Sequence, residues 1–256
     1  MNLGRLQNRV AIITGGARGI GKATAIKMVK EGASVALLDI LAKDVSQTAK
    51  ELQAMGGKAM GINVNVTNKA EVGKAVEQTL SQFGKVDILV NNAGLVKPAL
   101  LEDVQDGDWD EVVNVNLKGT FFCTRAVLPF MKKVRYGKII NISSRASLGK
   151  EVRTVYGATK AALIGVTRTW ALELAQCNIN VNAIGPGPIA TELFTAANPM
   201  DSPRTKAIMN GIPLKRIGQP EDVANLASFL ASEEASFITG QVIFICGGLT
   251  VGLVHY

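Results

Sequence analysis

Along the chain, short runs of apolar and β-branched residues alternate with longer segments whose apolar positions recur every three or four residues. The short runs are VAIIT (10–14), SVALLD (34–39), KAMGINV (58–64), VDILV (86–90), KIINIS (138–143), INVNAI (179–184) and QVIFIC (241–246). They are apolar almost throughout rather than strictly alternating, which predicts strands buried on both faces. The segments with helical spacing are 19–31, 43–55, 69–83, 108–132, 155–175 and 220–231. Regular alternation of strand and helix predicts an α/β fold: a parallel sheet with helices on both faces and right-handed crossovers. No Pro-, Gly- or Ser-rich linker divides the chain and no repeat is visible, so residues 1–256 are expected to form one domain. The rhythm breaks at 185–213, GPGPIATELFTAANPMDSPRTKAIMNGIP, which holds five of the eight prolines. This stretch is expected to be an insertion with short helices, placed as a substrate lid at the carboxyl end of the sheet.

Composition narrows the function classes. The chain carries a net charge of +7, but its lysines and arginines are scattered, with no basic run and no interleaved aromatics. Such a charge can serve nucleic acid or an anionic ligand; with this scatter a mildly basic soluble protein is expected, and not a nucleic-acid binder. The cysteines are Cys123, Cys177 and Cys246, too few and too far apart for a disulfide framework or a metal knuckle. No apolar run has the length of a signal peptide or a membrane span, so a cytoplasmic location is expected.

The first strand runs into TGGARGIG (14–21). Gly15, Gly19 and Gly21 allow a tight turn and close backbone approach to a pyrophosphate. The following helix, 19–31, with Ile20 in its first turn, supplies unpaired N–H groups and a partial positive charge. Asp39 ends the second strand, 18 residues beyond Gly21, where a carboxylate can bind the adenosine ribose hydroxyls of a dinucleotide. Arg18 pulls the other way, since a guanidinium beside this loop suits a 2′-phosphate. Asp39 would repel that phosphate at contact, so NAD is expected over NADP.

YGATK (156–160) sets a tyrosine and a lysine four residues apart, on one face of a helix. By itself the pair is compatible with an ordinary helix surface or with a phenol made acidic by an ammonium. Taken with the glycine loop and NNAG (91–94), it makes the chain resemble the short-chain dehydrogenase/reductase family. NVNLKGTF (114–121), IINISS (139–144), PGPIAT (186–191) and FITGQ (237–241) extend that resemblance over essentially the whole sequence.

The resemblance implies a seven-stranded Rossmann sheet and assembly as a homotetramer or homodimer. It implies an NAD(P)-dependent oxidoreductase with Tyr156 as catalytic acid/base. Lys160 would lower the pKa of the tyrosine and bind the nicotinamide ribose, and Asn116 would hold a water that links the lysine to solvent. The catalytic serine is Ser144 by motif position, whereas the common spacing back from Tyr156 would pick Ser143. PGPIAT, through Pro186, Gly187, Ile189 and Thr191, would hold the nicotinamide carboxamide. Asn92, Ala93 and Gly94 would pack under the adenosine half, with Val66 and Asn65 at the adenine. Asn65 stands where the family usually has an aspartate, and its amide oxygen is expected to accept from the adenine amino group. Cys246 replaces a frequent aspartate and reads as a buried strand-end residue. His255 is the only histidine and lies in the tail, with no catalytic role expected.

The expected reaction is interconversion of a secondary alcohol and a ketone by hydride transfer. The alternative is a 3-oxoacyl-[acyl-carrier-protein] or 3-oxoacyl-CoA reductase using NADPH. MKKVR (131–135) resembles part of that group's basic docking patch, but Cys177 occupies a position where a second docking arginine is expected. A non-catalytic nucleotide-binding module is a remote alternative, since neither the tyrosine nor the lysine is lost. Four cations, Lys97, Arg145, Lys150 and Arg153, flank the expected substrate cleft. Either they are solvated surface charges or at least one of them binds an anionic substrate group.

Overall fold

The computed structural model describes residues 4–199 and 201–252; the expectation for His255 lies outside them. Seven parallel strands form one sheet in the order β3-β2-β1-β4-β5-β6-β7. They are β1 (Val10–Thr14), β2 (Ser34–Asp39), β3 (Ala59–Asn63), β4 (Ile88–Asn91), β5 (Gly137–Ile142), β6 (Ile179–Pro186) and β7 (Val242–Ile245). The helices are α1 (Gly19–Lys30), α2 (Ala42–Ala54), α3 (Lys69–Phe83), α4 (Asp106–Val113), α5 (Thr120–Val134), α6 (Thr154–Leu174), α7 (Glu192–Ala197), α8 (Pro203–Gly211) and α9 (Pro220–Ala231).

Successive strand side chains point to opposite faces, and both faces are buried. Ala11, Ile13, Val35, Leu37, Ile88 and Val90 pack with Met28 of α1, Leu52 of α2 and Val223 and Leu230 of α9. Ile12, Ala36, Leu38, Leu89, Ile139 and Val181 pack on the other side with Val76 of α3, Val127 and Met131 of α5 and Leu174 of α6. That double burial is why the strands read as unbroken apolar runs.

The chain steps from β1 outward to β2 and β3, then returns to pair β4 with β1 on its other side. A crevice opens at such a reversal, beyond the carboxyl ends of β1 and β4, and open α/β sheets bind ligands there. Thr14 and Asn91 end those two strands.

The segment expected as one helix over 108–132 is not uniform. Between α4 and α5 lies a π-helical stretch, Asn114–Gly119, with an extra residue in its turn. Such bulges turn selected residues out of the regular ladder and recur at functional sites. Here the stretch carries Asn116, which is fully buried.

Candidate active site

The loop after β1 is built for a close-lying ligand. Gly15 and Gly19 have φ of 61° and 52°, the left-handed region that favours glycine. A side chain at Gly21 would collide with the Gly15 carbonyl. Arg18 is the N-cap residue of α1 and caps no N–H with its side chain, and the first turn has no acid. The amides of that turn are therefore free to meet an anion, and the residues present fit a dinucleotide pyrophosphate. NNAG braces the loop from β4. Asn92 Nδ2 donates to the carbonyls of Thr14 (3.0 Å) and Gly15 (2.9 Å). The Thr14 hydroxyl accepts from the amides of Asn92 and Ala93, both at 3.0 Å.

Asp39 stands at the end of β2, beside this loop. Its carboxylate accepts from Ala17 N–H and Leu41 N–H, each at 3.0 Å, which fixes its orientation. Arg18 reaches across to Asp44 of α2, 2.8 Å away. Further along the crevice, Asn65 departs from expectation. Its Oδ1 already accepts from the Thr67 amide (3.0 Å) and hydroxyl (2.8 Å). A carbonyl oxygen has two lone pairs and both are used, so the side chain offers its NH2 group rather than its oxygen. Val66 is buried, and against it the backbone of Gly119 in the π-helical stretch leaves no room for a Cβ.

The candidate reacting side chains gather at the carboxyl ends of β4 and β5. Tyr156 and Lys160 lie on the first turns of α6, with the Lys160 ammonium 5.5 Å from the centre of the phenol ring. Lys160 Nζ donates to the Ile142 carbonyl at 2.8 Å. The two serines part ways. Ser143 is buried and donates to the Lys160 carbonyl at 2.7 Å, so its hydroxyl is turned into the α6 backbone. Ser144 is half-buried, caps Ala146 N–H at 3.1 Å, and its hydroxyl lies near enough to the Tyr156 phenol to lower its pKa. This geometry favours the motif position over the count back from the tyrosine. Ser144→Ala is expected to lower kcat/KM by on the order of 10²-fold, as loss of a positioned donor does. Ser143→Ala is expected to cost about 1 kcal/mol of stability and little activity. Steady-state kinetics and denaturant melts on both variants check this, and the reverse order of activity would reassign the role.

Asn116 is held by reciprocal bonds to Leu95, from N–H to Oδ1 (2.7 Å) and from Nδ2 to the carbonyl (2.9 Å). Nδ2 also lies 3.1 Å from the Thr159 hydroxyl on α6. Gly94 sits between this side chain and Lys160: a Cβ there would be 3.4 Å from Lys160 Nζ and 3.5 Å from Asn116 Oδ1. The π-helical stretch thus ties the loop after β4 to the first turns of α6.

Burial pushes the Tyr156 phenol up from its ordinary value, against smaller lowering by the Ser144 hydroxyl and the Arg153 charge. Arg153 is thus one cation that lowers it. Burial also pushes the Lys160 ammonium down, to about 8. Below about pH 8 the lysine stays mostly protonated, so its charge remains beside the phenol.

The stretch expected as a lid, 185–213, lies against this region from the far side. Gly187 N–H donates to the Ile245 carbonyl at 2.8 Å, and Cys246 beside it leaves no room for a side chain there. Cys246 is buried just past β7, 3.2 Å from the Thr250 hydroxyl. Pro186 ends β6, and Ile189 is buried and bridged to Gly218. Thr191 caps α7 through Phe194 N–H, and its methyl group would touch a Cβ placed at Gly19. PGPIAT therefore faces the glycine loop across the crevice. Lys97 drops out of the expected cations, because Asp108 (3.1 Å) and Glu111 (3.0 Å) hold it. Sequence reasoning missed Thr14, Asp44 and Thr159; only the strand-end position of Thr14, one residue before the first glycine, signals a role.

A family model described as "Enoyl-(Acyl carrier protein) reductase" matches residues 15–250. The chain is 43% identical over 243 residues to a (2S)-[(R)-hydroxy(phenyl)methyl]succinyl-CoA dehydrogenase subunit, BbsD, of Thauera aromatica, covering 95% of this chain and 97% of that one. It is 44% identical over 248 residues to the 3-oxoacyl-[acyl-carrier-protein] reductase FabG of Thermotoga maritima, covering 96% of this chain and all of that one (100%). Among solved structures, a 7α-hydroxysteroid dehydrogenase complexed with NADH and 7-oxo glycochenodeoxycholic acid superposes with a TM-score of 0.90 at 36% identity, covering 96% of each chain. With its parallel Rossmann-like sheet and these relatives, the chain belongs to the short-chain dehydrogenase/reductase family of oxidoreductases, which act on CH–OH and keto groups.

Proposed function

We propose that the protein is an NAD-dependent dehydrogenase that interconverts a secondary alcohol and a ketone, with Tyr156 as acid/base. The supporting observation is the convergence of the Tyr156 phenol, the Ser144 hydroxyl and the Lys160 ammonium beside a glycine loop whose helix amides are free. When bound, the nicotinamide supplies the hydride acceptor or donor. Ser144 and Tyr156 together hold the substrate oxygen, and Tyr156 moves its proton. Lys160 reaches the ribose side of the same pocket, and Asn116 keeps the loop after β4 in register with it. Gly15, Arg18, Gly19, Ile20, Gly21 and Asp39 line the pyrophosphate and adenosine ribose. Asn65, Val66, Asn92, Ala93 and Gly94 border the adenosine half, with Pro186, Gly187, Ile189 and Thr191 over the nicotinamide.

The choice of NAD rests on two carboxylates. Asp39 is oriented by two backbone amides and presents a charge that repels a 2′-phosphate. The guanidinium that would welcome that phosphate is already paired with Asp44. Wild type is expected to prefer NAD by at least about tenfold in kcat/KM, or about 1.4 kcal/mol. Asp39→Asn keeps an acceptor for Ala17 N–H while removing the charge, so it is expected to narrow that preference severalfold. Kinetics with both cofactors decide the point; a wild-type preference for NADP would favour the second reading, an NADPH-dependent 3-oxoacyl reductase, which the Thermotoga maritima relative's name supports.

The Thauera aromatica relative's name favours an acyl-CoA that carries a carbinol carbon as substrate. Assembly as a homotetramer or homodimer is supported by large apolar side chains left exposed on the described surface, among them Trp109, Phe121, Leu172 and Phe237. No helix among the described residues is long and apolar enough to cross a membrane.

A further inference from the structure

Arg145 follows Ser144 directly in a short 3₁₀ turn, Arg145–Leu148, and Arg153 is the N-cap residue of α6. The turn packs against the start of α6 so closely that a Cβ on Gly157 would stand 3.0 Å from the Ala146 carbonyl. Lys150 lies between them, and Arg204 comes from lid helix α8. The charges of Arg153, Arg145 and Arg204 all bear on the Lys150 ammonium, and Arg204 also bears on Arg153. The lid has thus brought a fourth cation to the three of the loop. Among the described residues, none of the four has an ion-pair partner, unlike Lys97; Glu151, the acid of this loop, is exposed and pairs with none of them.

The backbone is also held in an unfavourable shape here. Val152 has φ of 52°, a region that strongly disfavours a β-branched residue. It is followed at once by an isolated parallel bridge between Arg153 and Ala99, five residues beyond Gly94. Strain that persists in this way is stabilised by its surroundings and collects at ligand sites. Four like charges gathered without acids raise one another's energy, and an incoming anion relieves that repulsion.

We infer that Arg145, Lys150, Arg153 and Arg204 receive an oxyanion group of the substrate at the mouth of the cleft, with Arg204 carried onto it by the lid. The inference rests on the alcohol–ketone reading above and adds the substrate class: a hydroxy or oxo acyl compound bearing a carboxylate or phosphate. Arg153 is close enough to act on the Tyr156 phenol, which favours a carboxylate a few bonds from the reacting carbon. Phosphates at the far end of a pantetheine arm are the other source of the same chemistry.

The test measures calorimetric binding to the enzyme–NADH complex, so it needs no turnover. Acetoacetate is compared with methyl acetoacetate, and acetoacetyl-CoA with its N-acetylcysteamine thioester. The anionic member of at least one pair is expected to bind about tenfold or more tightly than its neutral partner. Lys150→Gln and the charge reversal Arg204→Glu, both at exposed positions, are expected to shrink that ratio severalfold with NADH affinity unchanged, whereas Lys97→Gln leaves it intact. Discrimination in the first pair identifies a carboxylate, and discrimination in the second alone identifies the phosphates. Equal binding within both pairs, or a ratio that survives the Lys150 and Arg204 variants, overturns the inference. If neutral ketones are still reduced in that case, the alcohol–ketone reading stands; if no ketone is reduced although acetoacetate binds through the cluster, that reading fails and the inference stands.

Discussion

Replacing Tyr156 by Phe is expected to lower kcat by on the order of 10³-fold while NAD affinity is retained. The ring fills the same space on the first turn of α6, so the site stays packed. The variant loses the hydroxyl that can exchange a proton with the substrate oxygen. Because burial holds the phenol protonated, the resting side chain is set up as an acid, ready to reduce a ketone. Alcohol oxidation needs the phenolate, and the Arg153 charge with a bound cationic nicotinamide ring supplies the lowering that burial opposes. In wild type the oxidation rate therefore rises with pH over a range in which reduction does not. Stopped-flow turnover in both directions, with a fluorescence titration of cofactor, tests the assignment. A phenylalanine variant that kept a tenth or more of wild-type kcat would remove Tyr156 from the chemistry.

The sheet was legible because its physics is local. A strand buried on both faces has to be apolar along its length, and all seven runs proved to be strands with ends shifted by no more than two residues. The break in the helix at Asn114–Gly119 was not legible. One extra residue in a single turn perturbs an apolar period too little to show over so short a span, and what stabilises the bulge is distant in sequence. Leu95 bonds Asn116 across 21 residues, and Thr159 does so across 43.

The site divides along the same line. Glycines, Asp39, Tyr156 and Lys160 are tied to fixed offsets from a strand or within a helix, so spacing reveals them. Whether a charge is free depends on contacts that spacing does not encode. Lys97 and Arg153 look alike in sequence, yet Asp108 and Glu111 reach the first, while the second faces Lys150 and Arg204. The Tyr156–Lys160 pair carries the same lesson. The i, i+4 offset places the ammonium near the phenol, but the sign of the phenol's shift is set by burial, against the lowering by Ser144 and Arg153.

Lys160→Met is expected to abolish most turnover and yet make the apoprotein more stable at neutral pH. Lys160 is buried, and burial depresses its pKa from 10.5 to about 8. At pH values below both, the lysine is protonated folded and unfolded, and folding bears the whole cost of the buried charge, of order 3 kcal/mol for such a shift. As pH rises from about 8 toward 10.5, the folded chain releases its proton before the unfolded chain does. The unfolded state then binds more protons, so wild-type stability gains with pH until the cost is gone. Methionine fills a similar volume without the charge, but gives up the hydrogen bond to the Ile142 carbonyl, worth about 1 kcal/mol. The variant is therefore expected to exceed wild type by about 2 kcal/mol near pH 7 and to lose that lead by about pH 10.5. Paired denaturant melts across this range read the crossing. A lead that stayed constant with pH would mean that Lys160 is not held as a costly buried cation. The same variant separates the roles of the side chain. A buried lysine that weakens the fold is retained for what it does in the site, so activity and ribose-dependent NAD affinity should fall together as stability rises.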